Sequence, residues 1–168
     1  SYYAGVLPFN HTVDELIEIM KPWFDNYCFA INSYGKTTMY NSIMVLNFVD
    51  NYIRNDYHIP NKMVETNIRI DYSKIRMLIR HDKEFAHDAS IIQELVTKGY
   101  TTGNLVENFP ADRINDPDNF LSLLFYFGLV TIDGEYKGST KFIIPNEVVR
   151  DQIYTYLLDT YRENDLTF

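Results

Sequence analysis

Three observations predict a mainly α fold with small β elements (α+β). Apolar residues recur at helical spacing through most of the chain. The β-prone runs are few and scattered, which argues against a parallel α/β sheet. The stretch from Asp116 to Ile153 reads as a helix, a β-hairpin and a second helix in immediate succession, the pattern of a winged-helix unit with the hairpin as its wing. The rest of the chain reads as material packed onto it. Its first helix is signalled at both ends: Asp116 suits the N-cap, Pro117 the first helical position, and Gly128 follows the apolar run Phe120, Leu121, Leu123, Leu124, Phe125, Phe127. A helix apolar on nearly every side is expected to be buried on nearly every side. Val130-Thr131-Ile132 alternates at period two, Asp133 to Gly138 supplies turn residues, and Lys141 to Ile144 returns as a second strand. Pro145 stops that strand and Asn146 caps the helix that follows.

The elements before this unit follow in order. Thr12 with Glu15 forms a capping box, and Leu16, Ile17, Ile19 and Met20 supply the apolar face of a first helix. Pro22 is expected to kink or break it. Tyr27 to Ile31 is apolar and β-prone, and a polar loop from Asn32 to Thr38 comes next. Asn41 caps a helix in which Ile43, Leu46, Phe48, Val49 and Ile53 are expected to bury one broad stripe. The pattern fades from Asn55 to Thr66, with Pro60-Asn61 as a turn. Asp71 caps a short helix through Met77 and Ile79. Lys83 to Lys98 makes another, with Ile91, Ile92, Leu95 and Val96 inward and Gly99 at its end. Tyr100 to Phe109 reads as extended.

With 168 residues the chain supports one sizeable core or two small packed units, and 46% hydrophobic residues exclude a disordered chain. Fifteen basic against twenty-three acidic residues give a net charge of −8, so a phosphate backbone is repelled unless the few cations gather on one face. The largest excess is aromatic, 14 Tyr and 11 Phe, a residue class that suits interfaces as well as cores. Cys28 is the single cysteine, and no Cys/His set has zinc spacing, which points to a reducing, cytoplasmic setting. No apolar run has the length of a membrane span, and the N-terminal residues lead to the expectation of no signal peptide. The start at Ser1 rather than Met leads to the expectation of a piece cut from a longer protein.

Three motifs invite a chemical reading. Ala30-Ile-Asn-Ser-Tyr-Gly35-Lys36-Thr37 fits a permissive phosphate-loop pattern, in which Lys36 and Thr37 would serve phosphate and Mg²⁺. A working phosphate loop needs a parallel sheet beneath it and a carboxylate strand beside it, and neither is found, so the loop reads as a polar turn. Asp133 with Glu135-Tyr136-Lys137 resembles a fragment of a metal-dependent nuclease site, but it sits at the predicted hairpin tip without a second carboxylate strand. His81-Asp82 and His87-Asp88 lie six residues apart, on different faces of a helix.

The succession Trp23-Phe24-Asp25-Asn26-Tyr27-Cys28-Phe29, then Met39-Tyr40-Asn41-Ser42-Ile43, then Leu123-Leu124-Phe125-Tyr126-Phe127-Gly128-Leu129-Val130, then Ile144-Pro145-Asn146-Glu147-Val148-Val149 resembles the C-terminal part of the predicted AAA-ATPase-like proteins of bacteria. These are commonly fused to a PD-(D/E)XK-type nuclease-like domain. The chain departs from that pattern where Asn26-Tyr27-Cys28 lacks a glycine, where Ser42 replaces Pro, and where Tyr126-Phe127 replaces Gln and a small residue. The resemblance implies a helical lid-like region over residues 1–110 and a winged-helix-like region over 111–168. It also implies a non-catalytic regulatory or interaction segment of an ATPase whose nucleotide core lies upstream and whose nuclease-like domain lies downstream. ATP and Mg²⁺ then belong to the parent protein, and the fragment itself binds neither cofactor nor metal and is no enzyme. Trp23, Tyr27, Phe29, Tyr40, Asn41, Leu124, Gly128, Pro145 and Asn146 are the matching structural positions. The expected partners are those two flanking domains and a second copy of the chain. An alternative is a DNA-binding winged helix serving the nuclease-like domain, with contacts from Lys137, Lys141 and Arg150; nearby Asp133, Glu135, Glu147 and Asp151 favour protein contact over it.

Overall fold

In the computed structural model, residues 9–64, 85–106 and 119–163 are described. Among them stand five α-helices and one three-stranded antiparallel sheet, a mixed α+β fold. The caps expected at Asp71 and Asp116, the helical position of Pro117, the start at Lys83, the pair His81-Asp82 and the extended reading of 107–109 lie outside the described residues.

Helix α1 (Val13–Phe24) begins on the expected capping box: the Thr12 N–H donates to Glu15 Oε2 at 2.7 Å and the Glu15 N–H to Thr12 Oγ1 at 3.3 Å. Pro22 does not break it. The proline falls in the last turn, so it removes one hydrogen bond from a helix that ends two residues later, where the Asp25 N–H still reaches the Lys21 carbonyl. Helix α2 (Ser42–Arg54) is capped by Asn41, whose Oδ1 accepts from the Met44 N–H at 3.3 Å. The two helices run antiparallel. Asn41 N–H donates to the Phe24 carbonyl at one end, and His11 Nδ1 meets the Tyr52 hydroxyl at the other.

The buried ridge of α2 differs from the expected stripe. Met44, Phe48 and Tyr52 face the core at four-residue spacing and Val45 and Val49 are half-buried, whereas Ile43, Leu46 and Ile53 stand on the opposite side and are 66%, 70% and 48% exposed. Asn47, Asp50, Asn51 and Arg54 form a polar arc on which Ile43 also falls, and the apolar arc opposite it is wide enough that Leu46 and Ile53 lie at its uncovered edge.

Helix α3 (Phe85–Thr97) sends Ile92 and Leu95 into the core and is followed by Gly99 and the short strand β1 (Thr101–Gly103). Helix α4 (Phe120–Tyr126) is buried at every residue from Phe120 to Phe125, as its composition requires. Strands β2 (Thr131–Tyr136) and β3 (Ser139–Ile143) form the hairpin, and β3 lies between β1 and β2. Most of the segment expected as a turn is strand. Only Lys137 and Gly138 turn, both at positive φ of 53° and 84°, the mirror-image geometry that joins twisted strands in two residues. Gly134 occupies the irregularity between Ile132 and Glu135 at φ +93°. Helix α5 (Glu147–Glu163) begins on Asn146, whose Oδ1 accepts from the Val149 N–H at 3.2 Å.

Two apolar clusters result. Met20, Phe24, Met44, Phe48, Tyr52, Val64 and Val148 unite α1, α2 and α5. The sheet core unites Ile92 and Leu95 of α3 with α4, Phe142, Val149 and Ile153. Helix α3 and β1, which precede residue 110, thus pack with the elements that follow it. The apolar run Tyr27 to Ile31 is no regular strand. Tyr27 bridges to Met39, Cys28 docks on the edge of β2, and Ile31–Ser33 forms a 3₁₀ turn.

Candidate interaction surfaces

The four stretches that carry the family resemblance meet around residues 24–30, an arm that joins both clusters. Asn26, at φ +79°, donates from Nδ2 to the Pro145 carbonyl at 2.9 Å, and Asn146 Nδ2 returns a bond to the Asp25 carbonyl at 3.0 Å. These bonds interlock segments about 120 residues apart. Tyr27 is buried beside Gly128 and stacks on Phe29, which meets Phe125 edge to face. Cys28 N–H donates to Thr131 Oγ1 at 2.6 Å, the Thr131 hydroxyl donates to the Cys28 carbonyl at 3.1 Å, and Ile132 N–H reaches that carbonyl as well. Leu124 is fully buried, and its carbonyl accepts from Leu129 at 2.8 Å. Trp23 is half-buried and lines a depression with Lys62, Val148 and Asp151. Burial, with the Asp25 and Glu18 carboxylates nearby, raises the Tyr40 phenol above its ordinary pKa.

The loop Ala30 to Thr37 folds as a self-bonded turn. Ser33 N–H donates to Ala30 O, Tyr34 N–H to Ile31 O, and Lys36 and Thr37 N–H both to Ser33 O. An anion cradle needs such groups pointing at a shared ligand, and here they face the loop's own carbonyls. Gly35, Lys36 and Thr37 are exposed. The helix that follows starts only at Ser42, and the sheet is antiparallel.

Two of the three candidate cations are paired with carboxylates. Lys141 projects from β3 onto Asp133, a hydrogen bond that raises its pKa, while Arg150 on α5 pairs with Glu147 at 2.6 Å. Lys137 is the tip of the hairpin, with its ammonium 5.3 Å from the Tyr136 ring centroid. Asp133, expected at that tip, lies half-buried inside the sheet. Among the described residues no group of three His, Cys, Asp or Glu side chains is placed to hold a metal ion, and no helix is long and apolar enough to cross a membrane.

Two surfaces stand out that the motifs did not single out. One is the outward ridge of α2, where Ile43, Leu46 and Ile53 recur at near-helical spacing around the exposed Asp50–Arg54 ion pair at 2.8 Å. The other is the side of the hairpin that bears Lys141. There Tyr100 and Tyr136 meet edge to face at 5.8 Å, Lys141 Nζ lies 5.2 Å from the Tyr100 ring, and Tyr34 covers Gly134. The sequence signal for this second surface was the tyrosine surplus, which carries no information about which rings share a face.

No protein-family model matches the sequence, and neither a curated protein nor a solved structure does.

Proposed function

We propose that the chain is a non-catalytic interaction segment, the helical-lid and winged-helix part of an ATPase of the predicted AAA-like kind, whose nucleotide-binding core lies in a different part of the parent protein. The observation that carries this reading is the outward ridge of α2. Three exposed aliphatic side chains beside the Asp50–Arg54 pair suit a second, partly apolar partner, and a lid that packs on a nucleotide core supplies one. The order α3, β1, α4, β2, β3, with β3 between β1 and β2, supports a winged-helix unit. The pairing of Lys141 with Asp133 and of Arg150 with Glu147 favours protein contact over DNA contact for that unit.

The test has two parts. The adjoining reading frame should encode a phosphate loop upstream; a frame without one overturns the assignment to an ATPase. Calorimetry of the chain with MgATP should show no binding, whereas binding that disappears in Lys36→Ala would make the chain itself the nucleotide site. In the parent protein, Leu46→Lys with Ile53→Lys should detach the segment from the core, read as new hydrogen exchange along α2. Unchanged exchange would sink the lid role of this face.

A further inference from the structure

We infer that the depression beside Trp23 is a binding pocket for a free α-amino acid with an apolar side chain, a role separate from the α2 ridge and independent of the ATPase reading. Three walls bound a volume of about 250 Å³: Trp23 on α1, the segment Asn61 to Val64, and Val148 with Asp151 on α5. That is just under the roughly 300 Å³ at which pockets for drug-sized ligands begin, so the space suits a small molecule. The lining divides by chemistry. Val64 and Val148 are buried, and Met63 and Trp23 are half-buried against the same apolar cluster. Lys62 and Asp151 are exposed and bring opposite charges from different walls. Arg54, Lys98, Lys141 and Arg150 each hold a carboxylate, but among the described residues no ion pair takes up Lys62 or Asp151, and the two do not hold each other.

These two unpaired charges select the occupant. A polyanion is repelled by Asp151 and by a net charge of −8, and a polycation meets Lys62. A hydrocarbon leaves both charges unused. A free α-amino acid carries a carboxylate, an ammonium and a side chain on one carbon, and so answers all three parts of the lining. Its carboxylate goes to Lys62, beside the Asn61 amide, and its ammonium to Asp151. An apolar side chain then covers Trp23, Met63, Val64 and Val148. Exposed ion pairs add little each, and the side chain supplies most of the affinity, which puts the dissociation constant on the order of 1 mM. Selectivity comes from the demand for both charges at once.

The test is an amide-resolved NMR titration of the whole chain with L-leucine. Three analogues run beside it: isocaproate, which lacks the ammonium, isoamylamine, which lacks the carboxylate, and glycine, which lacks the side chain. Trp23 is the single tryptophan of the sequence, so its indole N–H gives one assigned signal. L-leucine should shift that signal and the amides of Lys62, Val64 and Asp151 saturably, and each analogue should bind about fivefold more weakly or worse. Asp151→Asn should weaken L-leucine about fivefold and leave isocaproate unchanged, while Lys62→Gln should weaken L-leucine as much and leave isoamylamine unchanged. Both side chains are exposed, so the fold survives either change. No saturable shift by roughly 50 mM L-leucine, well above the expected constant, overturns the pocket. So do shifts gathered elsewhere, an analogue lacking one charge that binds as tightly as L-leucine, or unchanged L-leucine affinity in either variant.

Discussion

Thr131→Val tests how the arm is fixed to the sheet. Thr131 is 1% exposed, and its hydroxyl serves Cys28 twice, accepting from its N–H and donating to its carbonyl. Valine keeps the β-branched shape and removes both bonds. The carbonyl retains the Ile132 N–H at 3.2 Å, but the buried Cys28 N–H loses its partner. Two net hydrogen bonds at about 1 kcal/mol each, plus part of the penalty for an orphaned donor, give a destabilisation of about 2–4 kcal/mol. For a chain of this size that is a fall in Tm of roughly 5–12 °C. Urea unfolding followed by circular dichroism should show a lower midpoint at an unchanged slope, since the surface exposed on unfolding is the same. Thr131→Ser, which keeps the hydroxyl and loses one methyl, should cost only about 1 kcal/mol. A valine variant within about 0.5 kcal/mol of the parent chain, the ordinary scatter of surface changes, would refute the claim that this hydroxyl anchors the arm.

Three further changes probe other joints. Gln152 is 1% exposed and neither amide atom is bonded among the described residues, so Gln152→Leu should stabilise the fold by about 1–3 kcal/mol; a loss of stability on denaturation would show that the amide is satisfied in solution. Asn146→Ala removes the α5 cap and the bond to the Asp25 carbonyl together, an expected cost of about 2–3 kcal/mol, and an effect no larger than a surface mutation would deny the interlock. Glu94 is held below its ordinary pKa by hydrogen bonds from Lys98 and Thr101, and also by the Lys98 charge. A depressed carboxylate stabilises above its unfolded pKa and loses that contribution as pH falls through the folded value. Glu94→Gln should therefore lower stability at neutral pH by no more than about 1 kcal/mol, the pair being solvent-screened, and the difference should vanish in acid. A gap that persists at pH 2 would assign it to packing.

Local chemistry was legible in the sequence where both partners sit within one turn. The capping box at Thr12 and Glu15 and the caps at Asn41 and Asn146 depend on residues three apart, and each forms as expected. The burial of Phe120 to Phe125 also followed from composition, although Phe127, read as part of the same run, is 39% exposed. The face of α2 did not, because Ile43 and Met44 are equally apolar and only the placement of α1 and α5 decides which is covered. The hairpin turn was misplaced because Asp133 and Gly134, ordinary turn formers, are taken up by an irregularity within β2. The fate of Tyr27 to Ile31 turned on the Thr131 hydroxyl, 103 residues away in sequence from Cys28. As for the candidate site, the cations could be named from sequence, but their pairing with Asp133 and Glu147 and the convergence of Tyr34, Tyr100 and Tyr136 are properties of the folded sheet.

The interlock of Asp25 and Asn26 with Pro145 and Asn146 sets a timetable for synthesis. While the ribosome extends the chain at about 5–20 residues per second, the arm has no strand to dock on until the hairpin emerges, and Val148 of the helical cluster appears later still. Residues 9–64 leave the exit tunnel as an apolar helical pair with one wall missing, for several seconds at that rate. A nascent-chain pull or pulse-proteolysis series should therefore show protection arriving late and nearly at once, after α5 clears the tunnel, and a chaperone that binds the first two helices would have the whole of that interval in which to act.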